Sequence, residues 1–375
     1  MRIALLSGAY KNAGDFLIVN RTIELLKYVN PDCEINVYLR NEALDHRINE
    51  INHMDALVFA GGPAYSNVFP NLIPICKSLE DIIVPVFTIG VGWHGYISSS
   101  HLVYRCYNFT QDTKRYISWL GKDAGLSCRD WYSVKVLKRN GFHNTIMTGC
   151  PAWYDISNIN NLTLRKSIRI PFKKICISDC GNPKNLNQSF EIVKYIKEKY
   201  PNANIIYIFH RGILTDDYSN FAKKLSDIAV EYKDISCASD GFNVYNDCDL
   251  HIGMRVHAHI YNLSIRNISI LVEEDGRGTG VDEALGLFSI KAYDEDLLNF
   301  YLPREKMVDK LVRRYIAKEY LKIRENPFLI RQIDEYLSIL EESEYILMSQ
   351  AFEKMRGYFK QMLKHINTIF DGEER

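Results

Sequence analysis

The sequence predicts an α/β chain: two Rossmann-like domains facing a cleft, followed by C-terminal helices. Three observations carry this. Short apolar, β-branched runs alternate with helix-patterned stretches through the first half, the alternation restarts after a polar linker, and it stops near residue 296. The resulting division is residues 1–160, 161–295 and a helical extension over 296–375.

In the first half, RIALLS (2–7), EINVYL (34–39), DALVFA (55–60), VPVFTIG (84–90) and NTIMTG (144–149) read as buried parallel strands. DFLIVNRTIELLKYV (15–29) carries apolar residues at helical spacing, and RDWYSVKVLKRNG (129–141) reads as a helix stopped by glycine. Residues 155–172, rich in Asn, Ser and Thr and closing on Pro171, read as the linker. Strand patterns then return at 173–178, 204–209, 234–239, 249–253 and 268–273, with helices near 187–200, 219–232 and 255–266. Three amphipathic helices follow, separated at Asn326–Pro327 and at Gly357. They are expected to pack back across the two domains or to form a homo-oligomer contact. The alternative is a peripheral contact with a membrane surface bearing the substrate.

Composition excludes several classes of function. The 46 basic and 46 acidic side chains cancel, so no whole-molecule field draws the chain to nucleic acid. Met1 leads into an apolar run shorter than a signal-peptide core, and no run approaches the roughly 18 apolar residues of a membrane helix. The expected location is therefore the cytoplasm or the inner face of its membrane. The nine cysteines are scattered without a CxxC pair and read as reduced core thiols rather than metal ligands.

Ligands of doubly wound sheets sit outside the carboxyl ends of the strands, so those ends supply the candidate site. After the first strand, SGAYKNAGDF offers Asn12, Gly14 and Asp15 at a helix start, where free amides meet an anion or polar ligand and Asp15 is either a reactive carboxylate or an N-cap. Gly61–Gly62 after the third strand and Gly90–Val91–Gly92 after the fourth permit close backbone approach, with Trp93 and His94 beside them. Tyr65, Trp93, Tyr96, Trp153 and Tyr154 offer flat faces suited to a sugar ring. In the second half, His210–Arg211 and Gly253–Met254–Arg255–Val256–His257, with His259 beyond, end neighbouring strands. Two arginines there could hold a phosphate and a carboxylate together, assisted by a helix amino terminus. The structural alternatives are an Arg255 paired with Asp247 or Asp249 and a His257 satisfied within the core. A His251/His257/His259 metal trio lacks an acidic fourth ligand.

The ordered set of these motifs resembles the polysaccharide pyruvyl transferases. It consists of Asn12 to Asp15, Gly61–Gly62, Gly90–Val91–Gly92, CRDWYSVKVLKRNGFHNTIMTGCPAW (128–153) and the D-x-D-x-x-I-G-M-R-V-H of 247–257, and it covers roughly residues 1–290. The resemblance implies the two-domain GT-B architecture of many glycosyltransferases, and transfer of the pyruvyl unit of phosphoenolpyruvate to two hydroxyls of a sugar or lipid-linked oligosaccharide. By the same resemblance Arg255 binds the donor with Arg211 as a second arginine, and His257 is the acid/base. No cofactor is implied beyond phosphoenolpyruvate as co-substrate. After the last strand many members carry a tyrosine and an aspartate where this chain reads LVEEDGRGTG, which leaves the acceptor open.

Proton transfer in such a reaction suits a histidine near its neutral-pH midpoint, with His94 or Asp15 facing it from the first domain. A glycosyltransferase using a nucleotide sugar, and a noncatalytic glycan-binding or assembly protein, remain the other readings of the same architecture.

Overall fold

The computed structural model describes residues 1–71, 73, 75–93, 107–288, 290–294 and 324–371. Four parallel strands form the first sheet: β1 (Arg2–Ser7), β2 (Glu34–Leu39), β3 (Ala56–Ala60) and β4 (Val86–Ile89), in the order β2-β1-β3-β4. A parallel pair, β5 (Leu126–Cys128) with β6 (Thr145–Met147), extends it through the Val91–Cys128 bridge. Around this sheet lie α1 (Ala13–Val29), the short α2 (Ile48–Ile51), α3 (Gln111–Leu120) and α4 (Trp131–Arg139). β1 and β3 are buried almost throughout because helices cover both faces, which explains their unbroken apolar runs.

The second sheet is parallel, in the order β12-β11-β10-β7-β8-β9. Its strands are β7 (Lys174–Ser178), β8 (Asn204–Phe209), β9 (Glu231–Asp234), β10 (Leu250–Gly253), β11 (Ile268–Glu273) and β12 (Ile290–Lys291). They are joined by α5 (Leu186–Lys199), α6 (Asp216–Asp227), α7 (Val256–Ser264) and α8 (Gly276–Leu285). The strand expected at 234–239 lies earlier, at β9, and the preceding helix is correspondingly earlier. β9 is an exposed edge strand, so its residues are polar, while the apolar pattern after it belongs to a turn that contains Cys237 at φ +62°.

Strand order reverses between β1 and β3 in one sheet and between β7 and β10 in the other. Open α/β sheets bind ligands at such switch points. The loops there carry Gly8 to Asp15 and Gly61–Gly62 on one side, and Asp179–Cys180 and Met254–Arg255 on the other.

After a two-stranded antiparallel ribbon, β13 (Tyr293–Asp294) with β14 (Arg324–Glu325), come α9 (Leu329–Glu342) and α10 (Ile346–Phe370). The first expected C-terminal helix falls almost wholly outside the described residues. The break between the other two is at Glu344 and Tyr345, both with positive φ, rather than at Gly357. Gly357 lies inside α10 with open space where a Cβ would point, so nothing forces the helix to end there. α9 packs against α5 and β12, whereas α10 packs on α7 and α8 and crosses to the first domain, touching α1, β4 and β6. His365 Nε2 lies 2.8 Å from the carbonyl of Thr88 in β4, and Tyr154 packs on Phe359 with ring centroids 5.3 Å apart. This packing consumes the apolar stripes of both helices, including Ile333, Leu337 and Leu340 on α9 and Phe352, Met355, Met362 and Ile366 on α10. Among the described residues no helix is long and apolar enough to cross a membrane.

Candidate active site at the domain seam

Asn12 caps α1, its side-chain oxygen accepting from the amide of Gly14 at 3.3 Å while Nδ2 donates to Asp15 at 3.2 Å. The cap sits on the second domain: the amide of Ala13 donates to the carbonyl of His210 at 3.1 Å, and that of Cys237 to the carbonyl of Lys11 at 3.1 Å. The amino-terminal turns of α1 and α7 thereby meet face to face. A Cβ built on Gly14 would stand 1.9 Å from Nδ1 of His257, so only glycine lets the His257 ring occupy its place.

His257 is partly buried at this seam, and its imidazole is pushed down to about 3 by burial first, then by the charges of Arg277, Arg129, Arg255 and Arg211. A neutral-pH midpoint does not hold for this histidine: the ring is neutral and basic groups from both domains surround it. Arg211 follows β8, and burial followed by the charges of Arg255 and Arg277 lowers its pKa. Arg255 is paired, though with neither Asp247 nor Asp249. Its Nε and Nη2 each donate to Asp179 at 2.6 Å, and Nη2 also to the carbonyl of Cys180 at 3.1 Å. Asp249 instead receives Arg169 at 3.0 Å, and Asp247 receives Lys174. Arg255 is therefore held rigidly by a bidentate carboxylate clamp, with its guanidinium at the β7/β10 switch point.

Three further arginines that sequence reasoning missed stand near the seam, Arg129 and Arg277 bearing on His257 and Arg40 on Asp15. Arg129 directly follows β5, paired with Asp130 at 3.0 Å and donating to the carbonyl of Trp93 at 2.7 Å. Arg277 stands in the first turn of α8, paired with the N-cap Asp275 at 2.6 Å. Arg40 directly follows β2, donating to the carbonyl of Gly61 at 2.9 Å. Each lies at a strand end or in the turn just beyond one, which was the available signal. Asp15 faces them; burial raises its carboxyl above the ordinary range, and the fields of Arg40, Arg211 and Arg277 oppose the shift.

Other candidates fall outside the cluster. The His210 ring is buried against Tyr245, with Nε2 2.8 Å from its hydroxyl, so only its backbone serves the seam. His259 is 1% exposed, with Nδ1 2.8 Å from Ser269 Oγ and Nε2 3.2 Å from Asp282, and it cannot touch a substrate in the crevice. Ser269 continues to His251 at 2.7 Å and His251 to Ser178 at 3.0 Å, whose oxygen accepts from the amide of Arg255 at 3.2 Å. This buried polar chain anchors the Arg255 loop from beneath. Trp93 is buried edge-on to Tyr107, and Tyr65, Trp153 and Tyr154 are core residues, so none of these four offers a sugar platform. Gly61 and Gly62 take positive φ of 49° and 71°, and Gly62 lies against Arg40. His94 and Tyr96 lie outside the described residues. Among the described residues no three His, Cys, Asp or Glu side chains stand together as metal ligands. Cys237 is exposed; the other described cysteines are free and buried.

The second-domain segment where the sequence departs from its resemblance has a clear structural task. Glu274 accepts from the amide of Gly181 at 2.6 Å and of Asn182 at 3.2 Å, which ties the loop after β7 to the end of β11. Asp275 then caps α8 by accepting from the amide of Arg277 at 3.0 Å, which sets Arg277 at the crevice.

Among solved structures, a glycosyltransferase from Rickettsia africae ESF-5 is 11% identical, with a TM-score of 0.51 over 100% of this chain and 97% of its own. S. aureus MnaA with UDP is 11% identical, with a TM-score of 0.46 over 91% and 97%. A Neisseria meningitidis UDP-GlcNAc 2-epimerase bound to UDP-GlcNAc is 12% identical, with a TM-score of 0.43 over 90% and 100%. The first of these likenesses extends to the fold, the two-domain GT-B arrangement, and to nothing finer. No curated protein sequence matches this chain. The family model described as polysaccharide pyruvyl transferase matches residues 12–261, from the α1 cap through the helix that carries His257, and the chain belongs to that transferase family.

Proposed function

We propose that this protein transfers the pyruvyl unit of phosphoenolpyruvate onto two hydroxyls of a sugar in a glycan precursor, forming a ketal and releasing phosphate. One observation carries the reading: an uncharged His257, seated against Gly14, is ringed by Arg129, Arg211, Arg255 and Arg277. Such a cluster suits a small donor bearing both a phosphate and a carboxylate. Arg255 is fixed by Asp179 and Arg277 by Asp275, so both present oriented forks. Their charge offsets that of the donor, which otherwise repels an incoming oxygen nucleophile.

The acceptor hydroxyl attacks C2 while C3 gains a proton and becomes the methyl group. The C2–O bond to phosphate then breaks, and the second hydroxyl attacks C2 and gives its proton to the departing phosphate. Neutral His257 is the proton acceptor at the start, and the bound anion opposes the arginine fields that depress it, so the imidazolium is then able to donate to C3. Asp15, with its carboxyl raised by burial, is a stronger base than an ordinary aspartate and faces the seam from the first domain.

The test is phosphate release from phosphoenolpyruvate with a panel of diol-bearing glycosides. Release that depends on the acceptor, and is lost in a folded His257→Ala protein, supports the reading. Thermal stabilisation by a nucleoside diphosphate with none from phosphoenolpyruvate would replace it with nucleotide-sugar transfer.

A further inference from the structure

We propose that the acceptor carries an oxyanion, either a sugar carboxylate or a phosphate, and that Arg40 is the residue that receives it. This rests on reading the His257 crevice as the donor site.

Arg40 follows β2, its amide donating to the carbonyl of Ser7 at 2.9 Å, which places it at the carboxyl edge beside the first-domain switch point. The residue is 5% exposed. Its Nη1 donates to the carbonyl of Gly61 at 2.9 Å, while Nε and Nη2 donate to nothing among the described residues. No carboxylate among them stands within 4.0 Å of the guanidinium. Neither idle nitrogen is among the fully enclosed, unpartnered polar atoms, so both keep access to solvent.

The slot is built by glycine. A Cβ on Gly8 would come within 2.4 Å of Nη2, and one on Gly62 within 2.2 Å, so glycine at both positions is what gives the guanidinium its place. Arg129 is clamped by Asp130, Arg255 by Asp179 and Arg277 by Asp275, while Arg211, which has no such clamp among the described residues, is exposed. Arg40 has none, although an unpaired guanidinium is costly to bury. A ligand oxyanion that accepts from both Nε and Nη2 would meet that need in the bidentate geometry arginine prefers.

Its position assigns the anion to the acceptor. Arg211, Arg255 and Arg277 rise from the second domain, whereas Arg40 lies between the loops after β1 and β3 of the first. Arg40 feels Asp15 and Arg129, on the first-domain side of the seam. With the donor anion held chiefly by the three second-domain arginines, Arg40 is left to serve the acceptor from the first domain.

The test uses the full chain with phosphoenolpyruvate present and a His257→Gln substitution to prevent turnover. Methyl glucoside, methyl glucuronide and methyl glucoside 6-phosphate are titrated calorimetrically into this protein and into versions also carrying Arg40→Gln or Arg40→Lys. At least one charged glycoside is expected to bind about tenfold or more tightly than the neutral one. Which of the two it is distinguishes carboxylate from phosphate. Arg40→Gln should erase the preference, and Arg40→Lys, which keeps the charge and guards against a merely misfolded variant, should retain part of it. Equal binding of all three, no binding of any at roughly 10 mM, or a preference that survives Arg40→Gln overturns the proposal. The preference is read whether or not phosphoenolpyruvate binds, so failure of the donor reading is a separate result, seen in the phosphoenolpyruvate titration itself.

Discussion

Replacing Gly14 by alanine separates function from folding at this seam. Gly14 is in the first turn of α1 without positive φ, so alanine is compatible with its backbone, and helix propensity favours alanine by roughly 0.5–1 kcal/mol. The added methyl nevertheless lands 1.9 Å from Nδ1 of His257, and a contact below 3.0 Å does not persist, so the ring or α1 must move by at least 1.1 Å, the difference. A misplacement of about 1 Å at a reacting group costs on the order of a hundredfold in rate. Gly14→Ala should therefore remain folded, with a melting temperature within a few degrees of the parent, and lose about two orders of magnitude in acceptor-dependent phosphate release. The two measurements are a thermal melt and a steady-state phosphate assay on the same preparation. Parental turnover in a folded Gly14→Ala protein would refute the placement of His257 at the reacting centre, because no rearrangement that accommodates the methyl leaves both residues where they are.

Other perturbations probe the supports of the site. Removing Asp179 as Asp179→Ala leaves Arg255 buried without its clamp; a loss of about 3–5 kcal/mol in urea unfolding is expected, and a loss below about 1 kcal/mol would show that the pair is not holding the loop. Acid sensitivity follows from the histidines. His257 and His259 are depressed to about 3 by burial, whereas the unfolded chain takes up these protons near pH 6.5. Their contribution is thus fully present above about pH 6.5 and is lost progressively as pH falls towards 3. Urea midpoints should decline below pH 6.5, and a midpoint flat to pH 4.5 would contradict this assignment. Gly357→Ala, inside α10 with nothing within 4 Å of the new methyl, should raise stability by roughly 0.5–1 kcal/mol; a decrease would mean that the helix does break there.

How much of the site could be read from the sequence varies with the kind of interaction. Strand ends were legible: β1, β2, β8 and β11 have the bounds that their apolar runs predict, and Arg211, Arg255 and His257 follow such ends. Arg129 in CRDWYS follows a strand of only three residues, too short for its apolar pattern to stand out before the helical one that begins after it. Arg40 and Arg277 also follow strand ends, but nothing local to either shows that its side chain turns towards the seam. His259 illustrates the opposite error. Two positions past His257 on a helix is the far side, roughly 200° around, so a residue that looks adjacent in sequence is turned into the core.

By itself, the sequence determined the two-sheet architecture, because hydrophobic periodicity and turn residues are local and each strand advertises its own burial. It also determined which family the chain resembles, since ordered motifs survive without coordinates. Only the tertiary structure decided which charges oppose which. The partnering of Arg255 with Asp179, the seat of His257 against Gly14 and the unclamped state of Arg40 all join residues far apart in the chain. Electrostatic energy depends on separation in space and on the local dielectric, and neither is written along a sequence.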